Sequence, residues 1–497
     1  MAGHTGAGRR PPRHLLPLRL RRHWKALAGA GAVLLLLVLV LGETRVRPYI
    51  SSELVADEAI TQNIEGEGDL FDDGEHTIEI TFNEDEYADM LRVFREEGEK
   101  QFISADIVID GTVVNDVALR LKGNSTLMSL RSGGGDTGPG EGAGPGGTTL
   151  SEDEPERLPW LISFDEYQTG RGYQGRTEIA LRPGTATSDT ALNEALALAL
   201  TAADGQVAQD FTFTSVSVNG DESVPRLLLE SPDEPWAAEV GDGVLYKARA
   251  GGSLAYLGDD PTDYEEAFRQ VNGIGGQDLT PVTRLLRFVN ESDDEEFAAE
   301  LANHLDVESF ARYLATQSLI SNGDAMDGPG NNYYLWYDTE EERFTVLSWD
   351  LNLSFGAMGG PGGGQPPEGM ELPDGMELPD GVEPPEGGRF PGGREPTEGM
   401  EPPDEMPEGG PGGGSGALKE RFLADDTFQE LYERVYAEMY EELIGGGVAT
   451  EVLGSLTERA DRAGDEGATA AGEQLAERLA AVTETPSESS MFGGRGD

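Results

Sequence analysis

The sequence predicts an α+β fold in which a β-rich N-terminal part precedes a helical C-terminal part, behind an N-terminal membrane helix. Three observations predict it. Residues 75–230 contain several short runs in which apolar and polar residues alternate, as in strands. After residue 241 the apolar spacing is helical over most of the chain. Residues 26–42 form an apolar run without a charged residue.

The composition excludes several classes of protein. The 497 residues include 93 acidic and 36 basic side chains, for a net charge of −57. Such a chain repels phosphate backbones, so we expect no nucleic-acid partner. It has no cysteine, which excludes disulfides, cysteine zinc sites and thiol nucleophiles. Three of the five histidines precede residue 25, so a histidine zinc site or a Ser-His-Asp hydrolase is not expected.

The N-terminal end predicts a membrane anchor. Residues 1–25 carry seven basic residues and no acid, and are predicted to be a cytoplasmic tail. Residues 26–42 reach the short limit for a spanning helix, and no convincing signal-peptidase site follows. We therefore expect a single-pass cell-membrane protein whose C-terminal domain is extracytoplasmic, with cleavage and secretion as the alternative.

The sequence patterns of the first half predict strands and one helix. Strands are predicted at 75–82, and two or three more, joined by an Asp-Gly turn, within 102–123. Residues 132–157 are polar and Gly-rich, which favours a flexible insertion. Further predicted elements are strands at 158–164 and 176–183, a helix at 190–203, and strands at 211–220 and 224–230 joined by an Asn-Gly turn.

The sequence patterns of the second half predict mainly helices. Residues 358–416 carry a Gly/Pro/Met/Glu-rich hexapeptide repeat, which predicts an extended solvated chain that tethers a partner or is a tolerated insertion. Residues 484–497 are predicted to be a disordered tail. The other predicted elements are helices at 262–270, 281–288 and 295–322, strands at 333–338 and 344–355, and amphipathic helices within 417–483.

Two acidic motifs stand out because they lie among scarce residue types. The loop at 322–332 presents Asp324, Asp327 and Asn332, whose oxygens can reach a metal ion or a polar substrate. In the second motif, strand alternation would place Asp350 and Asn352 on one face, as oxygen ligands for Mg²⁺. The alternatives are an Asp/Asn-rich turn and an aspartate that caps a strand.

Lysine is rare, with only five in the chain, and Lys122 and Lys247 both lie on strand-like runs. A strand lysine that faces a cleft can hold a nucleotide phosphate. The alternative is a lysine whose ammonium group reaches solvent from the edge of a sheet.

Several of these runs, in this order, resemble the CotH kinase family, which is named for a spore-coat protein. Its members are atypical, protein-kinase-like phosphotransferases. The resemblance covers about residues 75–357 and implies a two-lobed kinase-like fold, with 43–357 as the kinase domain and 417–483 as further helices of its helical lobe. The matching runs are RLKGNSTL, ISFDEY, GYQGRTEIALRP, ALNEALALAL, VNGDESVPRLLLE, VLYKA, NGD with NNYYLW, and SWDLNLSFG.

The resemblance implies roles for the candidate residues. Asp350 corresponds to the metal-binding aspartate of the kinase Asp-Phe-Gly element. Asp324 corresponds to the catalytic-loop aspartate, with Asp327 as its rival, and Asn332 to the second metal ligand. Lys122 would contact phosphates and Glu194 would orient it. The candidates for nucleotide binding are Arg120, Lys122, Glu194, Glu230 and Lys247.

The function that the resemblance implies is transfer of the γ-phosphoryl group of ATP to protein Ser/Thr hydroxyls, assisted by Mg²⁺ or Mn²⁺. Two positions depart from the family. Ser163 stands where members often have lysine, and Asn352 where they often have a second aspartate. ATP is also scarce outside a bacterial membrane. The alternative is therefore a catalytically weak or inactive CotH-like envelope protein that acts as a binding or structural module.

Overall fold

A computed structural model describes residues 60–123, 125–131, 150–185, 188–250, 252–273, 277–328, 330–356 and 416–486. The chain divides into two units, Met1–Tyr49 and Ile50–Asp497, and every described residue belongs to the second. The predicted tail and membrane helix at 1–42, and most of the two insertions and the C-terminal tail, lie outside the described residues. None of the described helices is long and apolar enough to cross a membrane.

The first part of the described chain is a closed barrel of seven strands, in the order β2-β3-β4-β5-β7-β9-β8. Parallel pairing of β2 with β8 closes it, and β1 and β6 form a separate parallel pair. The elements are β1 (Gln62–Ile64), β2 (His76–Phe82), α1 (Glu84–Glu97), β3 (Ile103–Ile109), β4 (Thr112–Leu121), α2 (Met128–Arg131), β5 (Trp160–Ser163), β6 (Arg171–Tyr173), β7 (Glu178–Leu181), α3 (Leu192–Ala203), β8 (Phe211–Val218) and β9 (Val224–Glu230).

The second part combines a four-stranded antiparallel sheet, in the order β11-β10-β12-β13, with most of the helices. The elements are α4 (Glu234–Val240), β10 (Gly243–Ala248), β11 (Phe268–Gln270), α5 (Thr280–Glu291), α6 (Asp294–Glu300), α7 (Val307–Leu319), β12 (Tyr333–Asp338), β13 (Arg343–Ser348), α8 (Ala417–Ala424), α9 (Asp426–Met439), α10 (Val448–Arg462) and α11 (Ala468–Ala480). The predicted α+β class is confirmed.

Alternation along the strands fills the barrel. Ile78, Leu119 and Ile162 point inward and are fully buried. The predicted Asp-Gly and Asn-Gly turns are confirmed at Asp110 and Asn219, both of which have a positive φ, as tight hairpin turns require. The predicted strands of this half are therefore found with small shifts of their ends.

The outer face of the barrel is also covered. Leu161 on β5 and Leu229 on β9 pack against α3, whose small residues permit close approach, and against α10 and α11. The opposite sheet buries Leu335 and Val346 against α5, α7 and α9. The barrel interior and the second sheet thus have separate apolar cores, and a third cluster joins the outer face of the barrel to α10 and α11.

Two predicted helices are wrong in detail. Residues 262–270 form a 3₁₀ turn, Pro261–Tyr264, and then β11, because Phe268 is buried where β11 pairs with β10. Sheet pairing here overrides local helical propensity. Residues 295–322 are interrupted between α6 and α7, and Asp306 starts α7 by accepting a hydrogen bond from the Ser309 N–H at 3.0 Å.

Candidate active site

Two lysines from different sheets meet at one indole ring. Lys122 follows β4, and its Nζ lies 5.4 Å from the centroid of the Trp349 ring. Lys247 lies on β10 opposite Tyr334, and its Nζ is 4.6 Å from the Trp349 ring. Cations are attracted to the face of an indole. The outer face of the barrel and one face of the second sheet therefore face each other at Trp349, and we call the space around Lys122, Lys247 and Trp349 the cleft.

Neither ammonium group has a hydrogen-bond or ion-pair partner within the described ranges. Burial lowers the pKa of Lys122 to about 7, with Glu178 opposing that change and Lys247 adding to it. Burial also lowers the pKa of Lys247 to about 8, with Asp350 as the largest opposing influence. Two partly buried cations that lack an acceptor in the described part of the chain form a site that an anion would stabilise.

Glu194 and Asp350 are joined by an arginine that the sequence did not single out. The Nε of Arg182 donates to Glu194 Oε2 at 2.7 Å, and its Nη2 donates to Asp350 Oδ1 at 2.6 Å. Burial raises the pKa of Glu194, and Arg182 opposes that change. Among the described residues, Glu194 has no ion pair with Lys122. The expected Lys122–Glu194 contact is therefore replaced by Arg182–Glu194.

The backbone at Asp350 differs from the expected strand. β13 ends at Ser348, Asp350 has φ 54° and ψ 57°, and a 3₁₀ turn follows at Leu351–Leu353. The expected alternation of Asp350 and Asn352 on one strand face is wrong because the chain turns before it reaches Asn352. A left-handed aspartate is uncommon and occurs at tight turns, as at Asp110, and at functional sites. Asn193 on α3 fixes the turn by donating to the Asn352 carbonyl at 2.7 Å.

The loop before β12 orients Asp324. Its Oδ1 accepts a hydrogen bond from the Gly330 N–H at 2.6 Å, and its Oδ2 accepts one from Asn332 Nδ2 at 2.9 Å. A Cβ on Gly330 would lie 2.5 Å from Asp324 Oδ2, so this approach requires glycine. Burial raises the pKa of Asp324, the two hydrogen bonds oppose that change, and Asp350 is near enough to add to it.

Asp327, the rival of Asp324, lies in a different environment. Its Oδ2 accepts from Lys419 Nζ on α8 at 2.6 Å. This pair ties the loop to a helix that follows the long repeat. The structure thus places Asp324, and not Asp327, beside Asn332 and Asp350.

Of the two remaining nucleotide-binding candidates, Arg120 and Glu230, only one lies near the cleft. Arg120 on β4 lies near Glu178, and its guanidinium stacks over Phe102 at 5.2 Å. Glu230 lies opposite Ile179, whose side chain points into the barrel. The Glu230 carboxylate forms an ion pair with Arg176 at 2.8 Å. Burial raises the pKa of Glu230 to about 7. Arg120 is close to the cleft, whereas Glu230 belongs to another cluster.

Three residues of the cleft were not singled out from the sequence: Arg182, Glu178 and Trp349. Glu178 and Arg182 lie in the run RTEIALRP, and Trp349 directly precedes Asp350, so each had a signal. Sequence patterns can point to such residues. One pattern is a charged residue at each end of a buried strand, and the other is a tryptophan next to a candidate metal ligand. Their contacts across the fold required coordinates.

The oxygen donors of the cleft fit a magnesium ion. The described residues contain no group of three or more His, Cys, Asp or Glu side chains placed to hold a metal by themselves. Mg²⁺ is usually held by one or two carboxylates together with substrate phosphates and waters. Asp350 supplies a carboxylate. The Asn332 nitrogen donates to Asp324, so the Asn332 amide oxygen is the atom that can face a cation.

Comparison with known proteins shows the family of the chain. The family profile described as CotH kinase protein matches residues 119–459. The chain is also similar to inner spore coat protein H of Bacillus subtilis (strain 168), with 26% identity over 208 residues. That match covers 40% of this chain and 55% of the Bacillus protein, so the chain spans about half the length of this relative. Because the family match extends over more than half of its length, the chain belongs to the CotH kinase protein family.

Proposed function

We propose that the protein is an atypical protein kinase that transfers the γ-phosphoryl group of ATP to Ser or Thr hydroxyls of a protein. The observation that carries the proposal is the cleft itself. Lys122 and Lys247 converge there, next to Asp350, and find no acceptor among the residues that the structure describes. A polyphosphate supplies the missing negative charge, and the carboxylates suit the cation that accompanies it. In this proposal the barrel and the second sheet are the two lobes of a kinase-like fold.

Each side chain has a defined task in this reaction. Lys122 and Lys247 bind phosphate oxygens, and Asp350 with Asn332 holds Mg²⁺ or Mn²⁺. When bound, the cation neutralises charge on the transferred group. Asp324 orients the acceptor hydroxyl and takes its proton. The hydroxyl oxygen bonds to the γ-phosphorus while the bond to the ADP oxygen breaks. The raised pKa of Asp324 makes it a better base than an ordinary aspartate.

The binding part of the proposal is tested with the two lysines. In calorimetric titrations of the full chain with ATP and Mg²⁺, Lys122→Met/Lys247→Met should weaken binding by about 100-fold or more, since each charged hydrogen bond contributes about 1.5–3 kcal/mol. Arg434→Met/Arg462→Met removes the same charge from exposed helix positions on α9 and α10. That control should bind like the wild type. Equal affinity of the lysine variant and the wild type would exclude this phosphate site.

The low pKa values of the two lysines predict that nucleotide affinity falls as the pH rises from 7 to 9. Bound phosphate favours the charged ammonium groups, so binding takes up protons. In the free protein the ammonium groups lose their protons as the pH rises past the pKa values of about 7 for Lys122 and about 8 for Lys247. Above these values the lysines must be protonated again before they can bind phosphate, which weakens binding. Affinity should drop by at least about tenfold over this range. The double lysine variant should show a flat profile, and a flat profile in the wild type would contradict the assignment.

Two observations favour a second function. Asn352 stands where the family often has a second aspartate, and Arg182 already occupies one oxygen of Asp350. A catalytically weak envelope protein that binds ATP as a structural module would keep the lysine site and lose transfer. ATP binding without any phosphorylated product would favour this alternative. We also propose an envelope location, with residues 26–42 as the membrane anchor, because the Bacillus relative is a spore coat protein.

A further inference from the structure

The cleft contains a buried chain of charges of which the assigned roles use only Asp350. Glu194, Arg182 and Asp350 are linked by two short charged hydrogen bonds. The Glu194 residue is 2% exposed and Arg182 is 7% exposed, whereas the Asp350 side chain is 29% exposed. The inner two charges are thus inaccessible, and the outer carboxylate is the part of this chain that a ligand can reach.

The backbone of Arg182 is also fixed. Its carbonyl accepts a hydrogen bond from the Nε of Arg226 at 2.7 Å, and Arg226 is itself 1% exposed. Glu194 lies in the first turn of α3, which is packed against the barrel. Arg182 is therefore held from both sides, and its carboxylate partners among the described residues are Glu194 and Asp350 alone.

The charge around Asp350 disfavours a bare divalent cation. Arg182 donates to Asp350 directly, and Lys247 is close enough to respond to its charge. Lys122 adds a third positive group to the same cleft. A divalent cation that approaches without an anion meets these positive charges and must share or displace the arginine. A cation that arrives with a polyphosphate brings the compensating negative charge.

We propose that Arg182 is a positioning residue that occupies Asp350 as an internal counter-ion and so makes binding of the divalent cation depend on the nucleotide. The proposal deepens the proposed function and rests on it, since it concerns the metal ligand of the same site. Arg182 takes the place that a lysine was expected to take beside Glu194, but it points at the metal-binding carboxylate. In this arrangement the site binds free divalent cations weakly and binds the metal–nucleotide complex more tightly.

The test measures Mn²⁺ binding by the full chain in the absence of nucleotide, from the loss of the free Mn²⁺ electron paramagnetic resonance signal. Arg182→Met alone would leave Glu194 as an unpaired buried charge and would destabilise the fold. The variant is therefore Arg182→Met/Glu194→Gln, which removes both buried charges together. We expect this variant to bind one Mn²⁺ at least tenfold more tightly than the wild type.

A third variant assigns the bound ion to the cleft. Adding Asp350→Asn to the double variant should return Mn²⁺ affinity to the wild-type level, because weak binding to the acidic surface remains in all three proteins. A double variant that is folded, by its circular dichroism and thermal midpoint, and binds Mn²⁺ within twofold of the wild type would overturn the proposal. If Arg182 had a merely structural role, the folded double variant would bind Mn²⁺ no more tightly than the wild type.

The outcome is separable from that of the proposed function. If the double variant gains Mn²⁺ affinity but neither protein binds ATP, the role of Arg182 as counter-ion of Asp350 stands, and the nucleotide dependence is overturned together with the kinase proposal. If the wild type binds ATP with Mg²⁺ but Mn²⁺ affinity does not change between the two proteins, the role of Arg182 is overturned and the nucleotide site stands.

Discussion

Asp324→Asn should lower the rate of phosphoryl transfer by about 100- to 10,000-fold, the range that a general base contributes. ATP binding should remain within a few-fold of the wild type, because the lysines that hold the phosphates are untouched. The asparagine oxygen can still accept the Gly330 hydrogen bond, whereas its NH2 group faces the NH2 group of Asn332, whose amide must turn over to keep that contact. The measurement is incorporation of labelled phosphate from ATP, together with a parallel nucleotide titration.

Asp327→Asn is the matched control in the same loop. It weakens the contact with Lys419 and leaves the hydrogen bonds of Asp324 in place. We expect its transfer rate to fall by less than about tenfold, which is well below the contribution of a general base. If the Asp327 variant loses more activity than the Asp324 variant, the assignment of the two carboxylates is reversed.

Arg226→Met should destabilise the protein by about 3–5 kcal/mol, because it leaves buried carbonyl groups without donors. The arginine is 1% exposed on β9, and its guanidinium donates to the carbonyl groups of Arg182, Leu158 and Glu156. No substitute side chain can reach all three. The free energy of unfolding is measured by urea denaturation at constant pH.

Arg434→Met serves as the control for this stability measurement. Its side chain is 56% exposed on α9 and makes a loose pair with Glu438. Exposed pairs of this kind contribute about 0–1 kcal/mol. A stability loss at Arg226 no larger than the loss at Arg434 would contradict the view that this buried arginine organises the end of the barrel and the backbone of Arg182.

Much of the fold was predictable because its signals are local. Alternation in runs such as HTIEITF, and turns such as Asp110-Gly111 and Asn219-Gly220, depend on neighbouring residues. The strand β11 was missed because its three residues are extended only through pairing with β10. Local propensity carries no information about such a partner.

The candidate site shows the same division. The acidic motifs that contain Asp324 and Asp350 could be recognised from residue type and context, and the structure brings them together. The partner of Glu194 could not be recognised, because Lys122 and Arg182 both follow barrel strands and both are cationic. Only the register of β4, β5 and β7 decides which one reaches α3.

The central claim is that this cleft phosphorylates protein hydroxyls, and mass spectrometry of the full chain after incubation with ATP and Mg²⁺ tests it most directly. We predict phosphoserine or phosphothreonine on the chain itself. This modification should require the metal and should be absent from the Asp350→Asn variant. A wild-type chain that binds ATP with Mg²⁺ yet carries no phosphorylated residue, or an Asp350→Asn variant phosphorylated to the same extent, would contradict the account.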